Sequence, residues 1–182
     1  MAYAPDKGSR VHAGSGSGPA WNERGVTLVE LIFAILILSI LTVIAVPSFR
    51  DASLSGRLSA ISSDLYTSVQ LARSEAIKSN AATTLCPSND GTTCSGAWKN
   101  GWIVRDAGGT VIHSGAALPA GFTVSQTGGI ANLTFQPIGV GVTAATFTIC
   151  RDTPMGNQNR VISVLATGSA SVKRNDNTST CP

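Results

Sequence analysis

Few residues of this chain have the types and spacing needed for chemistry on a substrate. Its 182 residues include two histidines, His12 and His113, and neither belongs to a serine–histidine–aspartate or paired-carboxylate arrangement. The glycine pairs at 108–109 and 139–141 do not open a helix after a strand, as a phosphate-binding loop requires. The sequence therefore predicts no catalytic residue, no cofactor and no enzymatic activity.

The four cysteines are the next candidates for chemistry, as metal ligands or as disulfides. Zinc sites need closely spaced cysteine pairs or histidine partners, which Cys86, Cys94, Cys150 and Cys181 lack, so no metal is predicted. Four cysteines can pair in more than one way. Spacing favours Cys86–Cys94, which brackets a turn-rich stretch, together with Cys150–Cys181. Disulfides predict an oxidising compartment for this part of the chain.

An apolar segment precedes the cysteines. Residues 26–46 read VTLVELIFAILILSILTVIAV, long enough as a helix to cross a hydrocarbon core of about 30 Å. Lys7, Arg10 and Arg24 lie ahead of it, which predicts a cytoplasmic N-terminus. A cleaved secretory signal fits poorly, because the apolar run is too long and the polar break precedes it. A plain single-pass anchor accounts for everything except Gly25 and Glu30.

Glu30 is the one ionisable residue in this segment, and a carboxylate at mid-bilayer costs about 2.5–3.5 kcal/mol. Residues 24–31, RGVTLVEL, resemble the processing site of type IV prepilins. The resemblance implies cleavage between Gly25 and Val26, N-methylation of Val26, and pairing of Glu30 with the N-terminal amine of a neighbouring subunit. It also places Pro47 where pilins usually carry a proline. Val26 departs from the family, which usually has phenylalanine at that position.

The remaining pattern predicts an α+β fold, and the resemblance to type IV prepilins implies that this fold is pilin-like. A leader peptide (1–25) is followed by a filament-core or transmembrane helix (26–46), an amphipathic continuation of that helix (47–80), and a β-rich domain (81–182). The continuation has an apolar stripe at spacings of three and four, which predicts one face packed on the β domain. Pro47 is predicted to kink the helix without ending it. Short runs separated by glycine and asparagine turns predict five to seven antiparallel strands: 101–104, 121–124, 133–135, 145–149 and 161–164.

Residues 71–78, LARSEAIK, and the strand runs GWIV, FQPIG, TIC and VIS resemble the GspH/FimT family of minor pilins and pseudopilins, in the same order. The resemblance implies a minor pilin that helps to prime a type IV pilus near its tip. The alternative is a minor pseudopilin of a type II secretion system. The implied partners are other major and minor pilins or pseudopilins, the prepilin peptidase and the inner-membrane assembly platform. The implied location is the inner membrane, with the β domain periplasmic, and then the filament.

Nucleic-acid binding is a further alternative, from a different functional class. Some FimT-like proteins bind DNA through a C-terminal Gly-Arg-x-Arg motif, but this chain has Gly168-Ser169-Ala170-Ser171 there. Lys173 and Arg174 follow, and Arg151 and Arg160 are expected nearby across the last strands. Such a patch would contact phosphates without sequence specificity. Arg73 and Glu75, near the end of the helix, are expected to form a surface or helix-to-sheet polar pair.

Overall fold

The computed structural model describes residues 25–139, 142–152 and 159–175. It divides into two units, Met1–Ile44 and Ala45–Pro182, and the long helix begins in the first and ends in the second. The helix and strands, in chain order, are α1 (Leu28–Ser79), β1 (Thr83–Pro87), β2 (Trp102–Arg105), β3 (Val111–Gly115), β4 (Phe122–Thr127), β5 (Leu133–Phe135), β6 (Ala145–Arg151), β7 (Asn159–Val164) and β8 (Ala170–Asn175). A short 3-10 helix covers Trp98–Asn100.

Both ends of α1 have a local cause in the sequence. At the N-terminus, Glu30 N–H donates to the Thr27 hydroxyl at 3.2 Å, and Leu31 N–H donates to the Thr27 carbonyl. Thr27 is therefore the N-cap of α1. At the C-terminus, Asn80 adopts a φ of 51°, the left-handed conformation that ends many helices. Pro47 lies inside α1, so the prediction that the helix continues past this proline is confirmed.

The second unit is an α+β fold in which α1 packs on two antiparallel sheets, as the sequence predicted. One sheet has the order β3-β2-β1-β5 and the other β4-β6-β7-β8. The predicted stripe of α1 forms the helix side of the core: Leu58, Leu65, Val69, Ala72 and Ala76 are buried, and Leu54 and Ile61 are partly buried. Phe135 and Phe147 are among the largest buried side chains on the sheet side.

The described residues contain eight strands, more than the five to seven expected. The five predicted runs correspond to β2, β4, β5, β6 and β7, with ends shifted by up to three residues. The additional strands are β1, β3 and β8. β3 and β8 are edge strands, and most of their side chains are at least partly exposed, so their apolar pattern is weak. β1 is almost fully buried, but it includes Pro87 and leads into a turn.

Polar side chains join α1 to the β domain at several places. Trp102 Nε1 donates to the Ser68 hydroxyl at 2.8 Å in the core. Arg160 donates to the Ser59 hydroxyl at 3.0 Å, and Arg73 Nε donates to the Gly139 carbonyl at 3.1 Å. Arg73 and Glu75 therefore do not pair with each other, because Glu75 instead lies 3.4 Å from Lys78.

Candidate assembly site

The segment around the expected cleavage point is open and sterically permissive. Residues 25–27 precede α1 and are exposed. A Cβ added to Gly25 would meet no atom within 4 Å, and the backbone there is not left-handed. The fold therefore does not require glycine at position 25. A requirement for glycine would have to come from a protein that binds this segment.

Glu30 is three residues past the N-cap, in the first turn of α1. A carboxylate is favoured there, since the helix N-terminus carries a partial positive charge. Within the described residues, the side chain of Glu30 has no hydrogen bond and no ion pair. The other polar side chains of the segment differ from it: Ser39 and Thr42 each donate to a backbone carbonyl three residues earlier, at 2.7 and 2.8 Å. Glu30 is therefore the polar side chain of this segment that has no partner among the described residues.

The apolar side chains around Glu30 are exposed on all sides of the helix. Val26 is 68% exposed, and every residue from 25 to 53 is classed as exposed. By length and composition this part of α1 could cross a membrane. An apolar surface of this extent is not stable in water. It has to be covered by lipid or by other protein chains.

The disulfide predicted between Cys86 and Cys94 is confirmed, with Cα atoms 5.4 Å apart. It closes an exposed loop that is organised around the carboxylate of Asp90. Backbone N–H groups of Thr93 and Thr92, then the Thr93 hydroxyl, donate to Asp90 and hold its pKa well below its usual range. A lowered pKa means that this stabilisation is present above the unfolded-state pKa and is lost as the pH falls through the folded-state value. The loop is therefore preformed at neutral pH.

Cys150 also lies in a disulfide, but Cys181 is outside the described residues, so their pairing stays a prediction. The described residues contain no cluster of three or more histidine, cysteine, aspartate or glutamate side chains that could hold a metal ion.

The four basic residues considered for DNA contact do not form one exposed patch. Arg160 and Arg174 are direct neighbours in the β7–β8 register, whereas Lys173 is opposite Val161, on the other face of the sheet. Arg151 is 11% exposed and pairs with Asp51 of α1 at 3.1 Å. Arg160 donates to Ser59, also on α1. Arg151 and Arg160 thus connect the sheet to the helix, a role that sequence reasoning missed.

Sequence reasoning also missed three exposed residues of α1, namely Phe49, Arg50 and Arg57. Within the described residues, neither guanidinium has a hydrogen bond or an ion pair. These three residues line an open cleft of about 560 Å³ together with Val46, Pro47, Asp51, Ser53 and Leu54. The signal was present in the sequence, because Arg50 and Arg57 are seven residues apart and so lie on the same side of the helix, two turns apart.

Two family models match the chain. The model for the Type II transport protein GspH matches residues 62–168, and the model for the prokaryotic N-terminal methylation motif matches residues 22–46. The first match covers more than half of the chain, which therefore belongs to the GspH family of minor pilins and pseudopilins. No curated protein matches the chain.

Solved structures show the same fold. Type IV minor pilin FimU of Pseudomonas aeruginosa PAO1 is 23% identical with a TM-score of 0.54, covering 71% of this chain and 96% of FimU. A second crystal form of FimU is 22% identical with a TM-score of 0.52, covering 69% and 97%. The minor pseudopilin EpsH of the Vibrio cholerae Type 2 Secretion System is 14% identical with a TM-score of 0.50, covering 64% and 96%.

The family and the fold together define the class of protein. The chain is a minor pilin or pseudopilin of a type IV pilus or a type II secretion system, with an N-terminal hydrophobic helix that carries a methylation motif. The family is structural and non-enzymatic, and membership implies partners in pilus assembly.

Proposed function

We propose that this chain is a minor pilin that primes assembly of a type IV pilus near its tip. The observation that carries the proposal is Glu30, a carboxylate without a partner in the described part of the chain, which lies within the methylation motif on the exposed apolar part of α1. Such a helix is stored in the inner membrane with its N-terminus in the cytoplasm and its β domain in the periplasm. It then moves into a filament core, where a neighbouring amine neutralises the charge.

The choice of a pilus over a secretion system is supported by the FimT/FimU-like order of the strand motifs. The similarity to FimU also exceeds the similarity to EpsH in identity and in coverage, although both likenesses concern the fold. The alternative, a minor pseudopilin, is favoured by the name of the matching family. The two functions share processing and fold, so they are distinguished by whether loss of the chain impairs pilus formation or protein secretion.

A deletion strain tests the choice directly. We expect a strain that lacks this chain to make few surface filaments in electron micrographs while the profile of secreted proteins is unchanged. Expression of the wild-type chain should restore the filaments. Normal filaments with a loss of secreted proteins would contradict the proposal and assign the chain to type II secretion.

Processing is expected between Gly25 and Val26. The intact mass of the membrane-extracted protein should correspond to a chain that starts at Val26 and carries one added methyl group. Gly25→Val should abolish cleavage almost completely, because a branched side chain would replace glycine at the position that the peptidase recognises directly before the cleaved bond. The variant should still fold, since no atom lies near the added Cβ.

The matched control for this variant is Gly56→Ala, at a second glycine of the chain whose added Cβ also meets no atom. That variant should be processed normally. Cleavage of the Gly25→Val chain at the wild-type rate, or a wild-type product that begins beyond Val46, would contradict the assignment of the processing site.

We do not extend the proposal to DNA binding. Arg151 and Arg160 bond to α1, and Lys173 is on the sheet face opposite to Arg174. Phosphate contacts depend on several positive charges along one surface. The described residues do not supply such a surface at this place.

A further inference from the structure

We propose that, before assembly, Phe49, Arg50 and Arg57 of α1 bind the headgroups of anionic phospholipids on the periplasmic surface of the membrane. We call these three residues the interfacial face. The inference rests on the membrane topology of the proposed function and assigns a binding site to residues that neither processing nor filament pairing uses.

The spacing of the residues places them on one side of the helix. Val46, Phe49, Arg50, Ser53 and Arg57 follow one another at intervals of one, three and four residues, which keeps them on one side of α1. They line the open cleft described above. Phe49 is 77% exposed, the largest exposed fraction of any large apolar side chain in the described residues. An aromatic ring beside cations, next to an apolar span, is typical of a membrane interface.

The two arginines have no other described role. Neither Arg50 nor Arg57 has a hydrogen bond or an ion pair within the described residues. Asp51 lines the same cleft, and its carboxylate pairs with Arg151 at 3.1 Å rather than with either of these arginines. Arg50 and Arg57 are thus two positive charges without an ion-pair partner among the described residues, just beyond the apolar segment. They lie on the periplasmic side of the proposed topology, where the positive-inside rule predicts few positive charges. Phosphate groups of lipids would neutralise them, and guanidinium groups bind phosphate with paired hydrogen bonds.

Distance along the helix ranks the two arginines. With residues 26–46 in the hydrocarbon core, Arg50 lies four residues beyond Val46, about 6 Å along the helix axis. The headgroup layer is about 5–7 Å thick on each side of the core, so Arg50 lies within it. Arg57 lies about 16 Å beyond Val46 and reaches phosphates only along its extended side chain. Arg50 should therefore contribute more than Arg57.

Lipids are a better occupant than a second copy of the chain for this state. Copies inserted from the same membrane are parallel, so in a symmetric pair the arginine-bearing faces would meet each other, with like charges opposed. A membrane surface instead presents many phosphates to both arginines at once. The attraction is electrostatic and should weaken with salt, since the screening length falls from about 10 Å at 0.1 M to about 3 Å at 1 M.

The test is the lipid selectivity of the full-length chain in vesicles, measured by electron paramagnetic resonance. Spin-labelled phosphatidylglycerol is compared with spin-labelled phosphatidylcholine in a phosphatidylcholine bilayer. We expect roughly a fivefold preference for phosphatidylglycerol from Arg50, the ratio expected for one cation at a membrane surface. Arg50→Gln should remove this fivefold contribution and leave the background preference due to Lys7, Arg10 and Arg24, and Arg57→Gln should lower the preference less. Phe49→Ser should lower it by loosening the contact with the interface.

The matched control is Lys78→Gln, which removes one charge from the same helix near its other end. Lys78 is exposed, and its pair with Glu75 is of the surface kind that contributes little to stability. This variant should keep the wild-type preference, and Lys7, Arg10 and Arg24 are common to all variants. High salt should reduce the preference of the wild-type chain more than that of Arg50→Gln.

Three results would overturn the inference. One is an Arg50→Gln variant with the wild-type preference, or a Lys78→Gln variant with an equal loss. Another is competition by inorganic phosphate beyond that of chloride at equal ionic strength, which would indicate a site for free phosphate. The third is a preference that falls when the chain is diluted in lipid, which would assign the interfacial face to a second copy. Each of these results leaves processing at Gly25 and filament assembly unaffected, so the proposed function would stand.

Discussion

Glu30→Ala is expected to leave membrane insertion intact and to reduce incorporation into filaments by more than tenfold. In the bilayer the substitution removes a carboxylate that costs free energy in lipid, so the stored form should be at least as stable. In the filament it leaves a neighbouring amine buried without its partner, and breaking a buried ion pair in this way costs about 3–5 kcal/mol. A cost of that size corresponds to at least a hundredfold in the assembly equilibrium, so tenfold is a lower bound.

The measurement compares the amount of the variant in sheared filaments with the amount in the membrane fraction. Glu30→Asp keeps the charge on a shorter side chain and should restore part of the incorporation, whereas Glu30→Gln keeps the shape without the charge and should not. Thr27 and the helix start are unchanged in all three variants, because the Thr27 cap uses the backbone N–H of Glu30. Glu30→Ala chains that copurify with filaments at the wild-type level would contradict the assembly role of this carboxylate.

Gly115→Ala is expected to destabilise the β domain by about 3 kcal/mol, because it fills space that Trp102 occupies. Gly115 and Trp102 are direct neighbours in the β2–β3 register, and an added Cβ would lie 2.1 Å from Cε2 of the indole. The ring cannot simply move aside, since its Nε1 donates to Ser68 in the core. The substitution therefore forces either overpacking or the loss of a buried hydrogen bond.

Thermal unfolding of the full-length chain in detergent measures this effect. For a chain of this length, about 3 kcal/mol corresponds to a fall in Tm of roughly 6–12 °C. Gly56→Ala is the matched control, because Gly56 lies inside α1 with open space around it, and alanine there should raise stability by up to about 1 kcal/mol. Equal Tm values for the Gly115→Ala and wild-type chains would mean that the contact between Gly115 and Trp102 does not constrain the core.

Much of the local architecture could be predicted from the sequence. The apolar stripe of α1, the continuation of the helix past Pro47 and the disulfide between Cys86 and Cys94 all depend on residues close together in the chain. Periodicity, turn propensity and short loop closure determine such features. The five predicted strands likewise had enough β-branched and aromatic residues to be recognised without their partners. The family resemblance rested on the same local motifs, and the family match agrees with it.

The tertiary structure decided what depends on pairing between distant residues. β3 and β8 have weak patterns of their own and become strands because β2 and β7 supply hydrogen-bonding partners. Because residues 170–175 form a strand, Lys173 and Arg174 lie on opposite faces of the sheet, and the register places Arg174 beside Arg160. Packing on α1 gives Arg151 and Arg160 partners a hundred or more positions away in the chain.

The steric constraint on Gly115 also depends on a neighbouring strand, because β2 places the indole of Trp102 over this glycine. A single sequence carries no direct signal for such contacts. The alternation of residues along a strand predicts which face of the sheet a side chain occupies, but not which residues it will contact there. The sequence thus determined the helix, its apolar N-terminal segment and the methylation motif, whereas the fold determined which charged side chains are bonded inside the domain and which remain exposed.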